Sequence, residues 1–292
     1  MELFGGIEAG GTKFVCLIGT GPNDIRAETV FPTTTPSETM GRAVAFFQEH
    51  AADLPLSGVG VGCFGPVDLE PESPSFGHIT TTPKAGWAGT DIVGMLRRDL
   101  HLPVAFDTDV NASAYAEYLW GAANGLDPAI YVTIGTGIGA GIVSRGMPVH
   151  GLVHPEAGHM LIPHDRQIDP FPGACPYHGD CFEGLASGTA LNQRWKTPAE
   201  TLPDAHNGWQ LEAHYIGLAL TNLILCHSPR RIVVGGGVMR RRLLFPMVRR
   251  SVRDLLNGYV NSPSIIDHID QYIVPPALAG RAGALGAIAL TL

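Results

Sequence analysis

Apolar runs alternate with segments of helical periodicity along the chain, and this alternation is the pattern of an α/β protein. We predict strands where short apolar runs lie between turn residues, at 4–8, 14–18, 59–63, 104–106, 130–134, 141–143, 231–234 and 272–274. We predict helices where apolar residues recur at helical spacing, at 38–50, 91–100, 111–120, 209–227 and 277–292. The helix at 209–227 has a clear stop, because Pro229 follows it.

A weak internal repeat indicates that the fold contains the same unit twice. Residues 7–14 and 134–141 both read as a strand, a glycine turn and another strand. We therefore predict two similar α/β domains whose glycine turns face one cleft. The first domain is predicted to span residues 1–115, with the helix at 277–292 packing back on it, and the second to span 116–276.

Composition and charge narrow the class of protein. Apolar residues make up 45% and charged residues 16% of the 292 positions, which is typical of a globular chain. The net charge is −8 and no basic block occurs, so nucleic-acid binding is disfavoured.

The sequence also indicates the compartment. The N-terminus has neither a basic start nor an apolar core, and the most apolar helical stretch, 216–226, is too short to span a bilayer. Five cysteines are an odd number for a disulfide framework. We therefore predict a cytoplasmic protein without a membrane partner.

The first glycine turn, Gly10, Gly11, Thr12 and Lys13, is a candidate phosphate site. Backbone amides can converge on an anion where no Cβ intervenes, and the turn adds a hydroxyl and a cation. An ordinary hairpin turn explains the motif equally well. It is not a Walker loop, because a strand follows the turn instead of a helix.

Two further glycine turns carry the same chemistry. The run from Thr133 to Gly141 is denser in glycine, and the strand predicted after it disfavours a nicotinamide site, which needs a helix there. A third turn at 235–237 follows a strand and precedes a helix. By itself the third turn is a weak signal for a nucleotide base or ribose, but three such turns in this order at this separation are much less likely to be accidental.

An acidic pair lies where a predicted strand ends and a helix begins. Asp107 or Asp109 is explained by helix N-capping, which contributes on the order of 1 kcal/mol. In the functional interpretation Asp109 is the general base that accepts a proton from an attacking hydroxyl during phosphoryl transfer. The local sequence does not separate these two explanations.

The sharpest chemical signal is a set of soft metal ligands. Cys175, His178 and Cys181 recur at three-residue intervals in a loop with proline and glycine, and His159 lies upstream. Two thiolates and two imidazoles predict a tetrahedral zinc site with no open position, so the zinc would be structural. The alternative is that these residues are scattered in a loop without a metal.

Together these motifs resemble those of the ROK family of sugar kinases and sugar-responsive repressors. The resemblance runs from Ile7 to the C-terminal helix and rests on ordered motifs at 10–13, 63–68, 107–112, 133–141, 156–159, 175–183 and 235–239. It implies an actin-like (ribonuclease H-like) ATPase fold of two domains around a cleft that binds ATP and sugar. It also implies Mg²⁺ as a cofactor and a homodimer.

The resemblance assigns roles position by position. It implies that Asp109 is the catalytic base, and that the sugar contacts are Gly65, Pro66, Asn111, Glu156 and Glu183. His159 with the cysteine loop matches the zinc site. The resemblance further implies that the nucleotide contacts are Thr133, Gly135, Thr136, Gly137, Gly235, Gly236, Gly237, Val238 and Met239.

Three features resemble the bacterial fructokinase branch of the family. Glu8 stands where the broader family commonly has aspartate, and His178 stands where a third cysteine is common. The third feature is the segment around Lys84, at 82–87. They favour D-fructose and its conversion to fructose 6-phosphate. Mannose, glucose and N-acetylated hexosamines remain alternatives, and a non-enzymatic sugar-sensing regulator is a further one.

Overall fold

The computed structural model describes residues 2–292. Its strands are β1 Leu3–Ala9, β2 Lys13–Gly21, β3 Asp24–Pro32, β4 Leu56–Cys63, β5 Val104–Thr108, β6 Ala129–Ile134, β7 Ile138–Ser144, β8 Met147–Pro148, β9 Arg231–Gly235 and β10 Ile273–Val274. Its helices are α1 Pro36–His50, α2 Ile92–Leu100, α3 Asp109–Trp120, α4 Phe182–Ala186, α5 Gly188–Trp195, α6 Gly208–His227, α7 Leu244–Leu256, α8 Pro263–Ile266, α9 Ile269–Tyr272 and α10 Ala282–Ala289.

The two sheets share one topology. The first has the order β3-β2-β1-β4-β5, and the second has the order β8-β7-β6-β9-β10. In the first sheet β4 runs parallel to β1 and to β5, and in the second β9 runs parallel to β6 and to β10. The repeat read from the two glycine turns is therefore a repeat of whole sheets, and the predicted α/β class is confirmed.

The chain divides into two compact units. The first comprises the described residues up to Gly125, together with Gly141–Pro155 and Ala277–Leu292. The second comprises Leu126–Ala140 and Glu156–Pro276.

Both faces of β2 are buried in the first unit, because its side chains alternate between two apolar layers. Phe14, Cys16 and Ile18 belong to the larger core together with residues of α1 and α2. Val15 and Leu17 pack in a smaller core whose other members include residues of α3 and α10. The two layers fix the sheet between helices on both faces.

Helix α1 shows how local sequence fixes an element. The Thr35 hydroxyl accepts a hydrogen bond from the backbone N–H of Glu38, and Pro36 occupies the first turn, so the helix begins two residues before the predicted start. Met40, Val44 and Phe47 are buried on one face.

Other boundaries differ from the sequence predictions for identifiable reasons. Strand β3 was not predicted, because its side chains alternate between half-buried and exposed and its sequence is largely polar. The C-terminal helix is shorter than 277–292, because a 3₁₀ turn at Ala279–Arg281 precedes α10. Within residues 2–292, no helix combines the length and apolar character needed to cross a membrane.

Candidate functional site

Three parallel strands of the first sheet end side by side. Ala9 at the end of β1 pairs with Cys63 of β4, and Cys63 pairs with Thr108 of β5. The loops after these strands leave the sheet at one edge, and they carry the first glycine turn, the cis-linked Gly65–Pro66 and the start of α3. Open α/β sheets bind ligands at this carboxyl edge.

Hydrogen bonds fix the backbone of the first glycine turn at Gly10, and the remaining residues of the turn are exposed. The Gly10 N–H donates to the Lys13 carbonyl at 3.1 Å, and the Thr33 hydroxyl donates to the Gly10 carbonyl at 2.6 Å. Gly11, Thr12 and Lys13 are exposed. The turn therefore presents backbone amides to solvent in a fixed conformation, as an anion site requires.

Glu8, just before this turn, is engaged at the start of α10. Burial raises the pKa of its carboxyl, while the Lys13 charge and a hydrogen bond from the Ala284 backbone lower it. A Cβ on Gly283 would lie 2.5 Å from Glu8 Cδ, so the carboxyl packs tightly against the helix. Its Oε2 has no hydrogen-bond partner within residues 2–292.

Thr108, and neither neighbouring aspartate, caps α3. Its hydroxyl accepts a hydrogen bond from the Asn111 N–H at 3.1 Å. Capping as the explanation of Asp107 or Asp109 is therefore wrong. Asp109 is the first helical residue and is half-buried, while Asn111 is only 1% exposed.

A glycine on β4 lets the start of α3 pack close to the sheet. A Cβ on Gly62 would lie 2.7 Å from the Ala112 Cβ and 3.3 Å from the Asp109 Cα. Any larger residue at position 62 would force a shift at Ala112, because a Cβ contact under 3 Å cannot be accommodated, and would crowd Asp109 one turn earlier in α3.

Asp107 organises the residues around it. Its Oδ1 accepts from the Thr108 N–H at 2.6 Å and from the Asn111 Nδ2 at 2.8 Å. Its Oδ2 lies 2.8 Å from His150 Nε2. This hydrogen bond raises the pKa of His150.

His154, four residues further on, reaches the loop after β4. Its Nε2 accepts from the Val67 N–H at 3.1 Å, and its Cε1 is 3.4 Å from where a Cβ on Gly65 would be. Burial lowers the pKa of the His154 imidazole. The ring is therefore a neutral acceptor that fixes the Gly65–Pro66 loop.

In the second unit, the two remaining glycine turns lie on neighbouring strands. Thr133 near the end of β6 pairs with Gly235 at the end of β9. Gly236 has a φ of +92°, and a Cβ there would lie 2.3 Å from the Ile134 carbonyl oxygen, so only glycine fits. The turn on β6 is closed by a hydrogen bond from the Gly135 N–H to the Gly137 carbonyl at 2.9 Å.

A cavity of about 860 Å³ adjoins both turns. Gly135, Thr136, Gly237 and Val238 line it, while Met239 is 3% exposed and belongs to the core. The start of α5 forms another wall, where Thr189 donates to the Thr136 carbonyl at 2.7 Å. The volume lies within the range of small-molecule and cofactor sites.

Arg241 also lines this cavity. Its guanidinium lies 4.5 Å from the centroid of the Trp209 ring. It pairs with the Asp204 carboxylate and donates to the Glu200 carbonyl at 3.2 Å. One side chain thus joins the segment around 200–204 to α6.

The four predicted metal ligands come together in the second unit. The His159 Nδ1 lies 3.6 Å from the Sγ atoms of Cys175 and Cys181, and the His178 Nδ1 lies 3.6 Å from the Cys175 Sγ. All four donor atoms lie within 4.8 Å of one another, so the group can hold a metal ion. Scattered loop residues are not an adequate description of it.

Two carboxylates flank this metal cluster in sequence. Glu156 precedes His159 by three residues, and Glu183 follows Cys181 by two, in the first turn of α4. Partial desolvation and the charge of Glu183 raise the pKa of Glu156 to about 7. Glu183 Oε2 accepts from the Ile138 N–H at 2.9 Å and so supports the second glycine turn.

The structure therefore places the candidate residues in two groups. Asp109, Asn111, Gly65–Pro66 and the turn at 10–13 lie in the first unit. The second and third glycine turns, both glutamates and the metal cluster lie in the second. Sequence reasoning assigned no function to His150, His154, Trp209 or Arg241, and isolated histidines and arginines carry no spacing signal that would reveal them.

Comparison with known proteins identifies the family. The ROK family model matches residues 4–292. A fructokinase from Streptococcus mutans is 42% identical over 292 residues, covering 99% of this chain and 97% of that protein. A fructokinase from Zymomonas mobilis is 41% identical over 297 residues, covering 100% of this chain and 97% of that protein.

The fold comparison agrees. The structure resembles a ROK family glucokinase from Streptomyces griseus, crystallised with glucose and AMPPNP, with a TM-score of 0.75 and 25% identity, covering 98% of this chain and 97% of that one. The predicted actin-like ATPase fold is thereby confirmed. On its sequence and on its fold, this chain belongs to the ROK family.

Proposed function

We propose that this chain is an ATP-dependent hexose kinase that converts D-fructose to fructose 6-phosphate. The observation that carries the proposal is Asp109, a half-buried carboxylate at the start of α3, at the carboxyl edge of a sheet and beside the buried Asn111. The identity to fructokinases over nearly the whole chain supports fructose as the sugar.

Asp109 would act on the sugar hydroxyl. As the hydroxyl oxygen bonds to the γ-phosphorus of ATP, its proton passes to the Asp109 carboxylate and ADP leaves. A positioned carboxylate suits this step, because phosphoryl transfer depends on alignment and charge compensation. In the first unit, Asn111, Gly65 and Pro66 are proposed as sugar contacts, and in the second unit Glu156 and Glu183 are proposed as sugar contacts.

ATP is proposed to occupy the 860 Å³ cavity, with its phosphates on the glycine turns. In the second unit, backbone amides of 135–137 would bind phosphate oxygens, and Val238 would border the base or ribose. In the first unit, the backbone amides of 10–13 are proposed as a phosphate contact. Mg²⁺ would be held mainly by the phosphates and water, as is usual for kinases. Glu8 suits at most a water-mediated contact, because α10 already engages its carboxyl.

The metal cluster is proposed to hold one structural zinc ion. With zinc–sulfur bonds of about 2.3 Å and zinc–nitrogen bonds of about 2.0–2.1 Å, a tetrahedral ion places sulfur and nitrogen about 3.6 Å apart. The three sulfur–nitrogen distances of 3.6 Å match this value. Four protein ligands leave no position for substrate, so zinc would stabilise the segments that carry Glu156 and Glu183.

The test is ADP release with magnesium-ATP against fructose, mannose, glucose and N-acetylated hexosamines. Preference for fructose is expected, and preference for another hexose would retain the kinase but overturn the sugar. No turnover with any sugar, from folded and zinc-loaded protein, would overturn the kinase in favour of a sugar-binding regulator.

A further inference from the structure

His150 lies in the loop after β8, and it is half-exposed, with 46% of its side chain accessible. Its Nε2 meets Asp107 Oδ2 at 2.8 Å, and Asp107 is 3% exposed at its side chain. Because a carboxylate oxygen accepts and does not donate, Nε2 carries the proton of this bond. His150 is thus the side-chain donor to Oδ2 of a buried carboxylate.

The other oxygen of Asp107 determines how the Asn111 amide is oriented. Asp107 Oδ1 accepts from Asn111 Nδ2 at 2.8 Å, so the amide nitrogen faces Asp107 and the amide oxygen faces away. Asn111 is 1% exposed, and its Oδ1 has no hydrogen-bond partner among the described residues. A buried oxygen without a donor costs free energy, and a ligand hydroxyl would remove that cost.

His154 holds the same loop at a second point. It accepts from the Val67 N–H at 3.1 Å, in the loop after β4. The loop at 150–154 is therefore attached to the end of β5, through His150 and Asp107, and to the loop after β4, through His154 and Val67. The first attachment lies directly before α3, which begins with Asp109 and contains Asn111, and the second lies in the loop that contains Gly65 and Pro66.

We infer that His150 is a positioning residue for the sugar, which acts through Asp107 to keep the Asn111 amide oxygen available to a sugar hydroxyl. The inference rests on the proposed sugar-kinase function and adds a residue to it. Without the His150 donor, Oδ2 of the buried Asp107 carboxylate loses its side-chain hydrogen bond and the carboxylate can rotate, which disturbs the Oδ1 hydrogen bond that orients the Asn111 amide. None of His150, Asp107 and Asn111 lines the cavity proposed for ATP, so the ATP KM reports on a different set of residues.

The first experiment compares His150→Phe, which removes the donor, with His150→Gln, which retains an N–H. In His150→Phe the fructose KM is expected to rise on the order of tenfold, which corresponds to the loss of one hydrogen bond to a charged group. The ATP KM is expected to stay within about twofold of the wild-type value. His150→Gln is expected to recover part of the fructose KM. His227→Phe, at an exposed histidine at the end of α6, is the matched control.

A double-mutant cycle tests the route of the effect. If His150 acts through Asn111, His150→Phe should lower the kcat/KM for fructose much less in the Asn111→Ala variant than in the wild-type protein. Thermal unfolding is measured for each variant, and if His150→Phe does not fold, Asp107→Asn tests the same link from the carboxylate side.

The outcomes are separable. An unchanged fructose KM, an equal rise in the ATP KM, or additive effects in the cycle would overturn the inference while the wild-type protein remained a kinase. A wild-type protein with no turnover on any sugar would instead overturn the proposed function.

Discussion

Glu183 accepts a hydrogen bond from the backbone N–H of Ile138, with 2.9 Å between Oε2 and nitrogen. A Cβ on Gly137 would lie 2.6 Å from that same Oε2, so the carboxylate packs directly on the second glycine turn. Because Glu183 follows Cys181 by two residues, the metal cluster and the second glycine turn are joined through one short segment. Loss of a bound metal is therefore expected to destabilise this part of the second unit.

Removal of one metal ligand tests the structural zinc site. Cys175→Ser is expected to reduce bound zinc from about one ion per chain to well below one, because serine is a poor ligand for zinc. Loss of the ion frees the segments around His159 and Cys181, so the unfolding temperature should fall by at least about 5 °C. Metal analysis and thermal unfolding measure the two effects.

The control is Cys226→Ser, which changes an exposed cysteine at the end of α6 outside the cluster. It should keep both the zinc and the unfolding temperature. Full zinc occupancy in Cys175→Ser, or an unchanged unfolding temperature after the metal is lost, would contradict a structural zinc site.

Asp109→Asn tests the general base. The substitution keeps the size of the side chain and removes the proton acceptor, so kcat should fall by on the order of 10²–10⁴ with a small change in the sugar KM. ADP release with saturating ATP and fructose measures it. Asp99→Asn, at an exposed aspartate near the end of α2, should leave kcat unchanged. Undiminished turnover in Asp109→Asn would exclude this residue as the base.

Local motifs could be read from the sequence, because their chemistry is concentrated in a few neighbouring residues. The glycine turns, the Cys175–Cys181 loop and Asp109 are of this kind, and the four donors do come within 4.8 Å of one another. The pairing of Asp107 with His150 joins residues 43 positions apart. Asp107 belongs to a motif that the sequence reveals, but His150 has no distinctive neighbourhood, so only the packed fold identifies it as the partner of Asp107.

Arg241 shows the same limit in the second unit. Its contacts with Asp204 and Trp209 depend on how a loop folds over α6, which no periodicity encodes. The sequence pattern does not predict β3, for a different reason. It is an edge strand that pairs with β2 along one side, so its polar residues do not need to be buried.

Arg241→Ala tests whether this residue shapes the nucleotide cavity. The substitution removes a cation–π contact worth about 0.5–2 kcal/mol and the tie to the segment around 200–204, so the ATP KM should rise about 3- to 10-fold. The fructose KM should change little. Steady-state kinetics with each substrate varied in turn make the measurement.

Arg250→Ala removes an exposed arginine of α7 that does not line the cavity, and it should leave the ATP KM unchanged. If Arg241→Ala had the same ATP KM as the wild type, ATP binding would not depend on the Arg241 side chain.

Glu212 predicts a pH dependence of stability in the second unit. Glu212 lies in α6 and is 0% exposed, and no described residue donates a hydrogen bond to either carboxyl oxygen. Burial raises the pKa of this carboxyl well above the usual value, although the charge of Arg194 acts to lower it. The guanidinium of Arg194 also pairs with the Asp169 carboxylate, with 3.1 Å between Nη2 and Oδ2. The Tyr215 hydroxyl donates a hydrogen bond to the same Oδ2 at 2.8 Å.

The sign of the effect follows from the raised pKa. Above the ordinary glutamate pKa of 4.5 the unfolded chain loses this proton while the folded chain keeps it, so the stabilising contribution present at low pH declines as the pH rises. Glu212→Gln has no proton to lose. Its unfolding temperature should therefore fall less than that of the wild type between about pH 5 and pH 8, and should exceed it at the upper end. Glu49→Gln, at an exposed glutamate of α1, should follow the wild-type curve. If the Glu212→Gln and wild-type curves ran parallel across this range, Glu212 would not be the group that keeps a proton on folding.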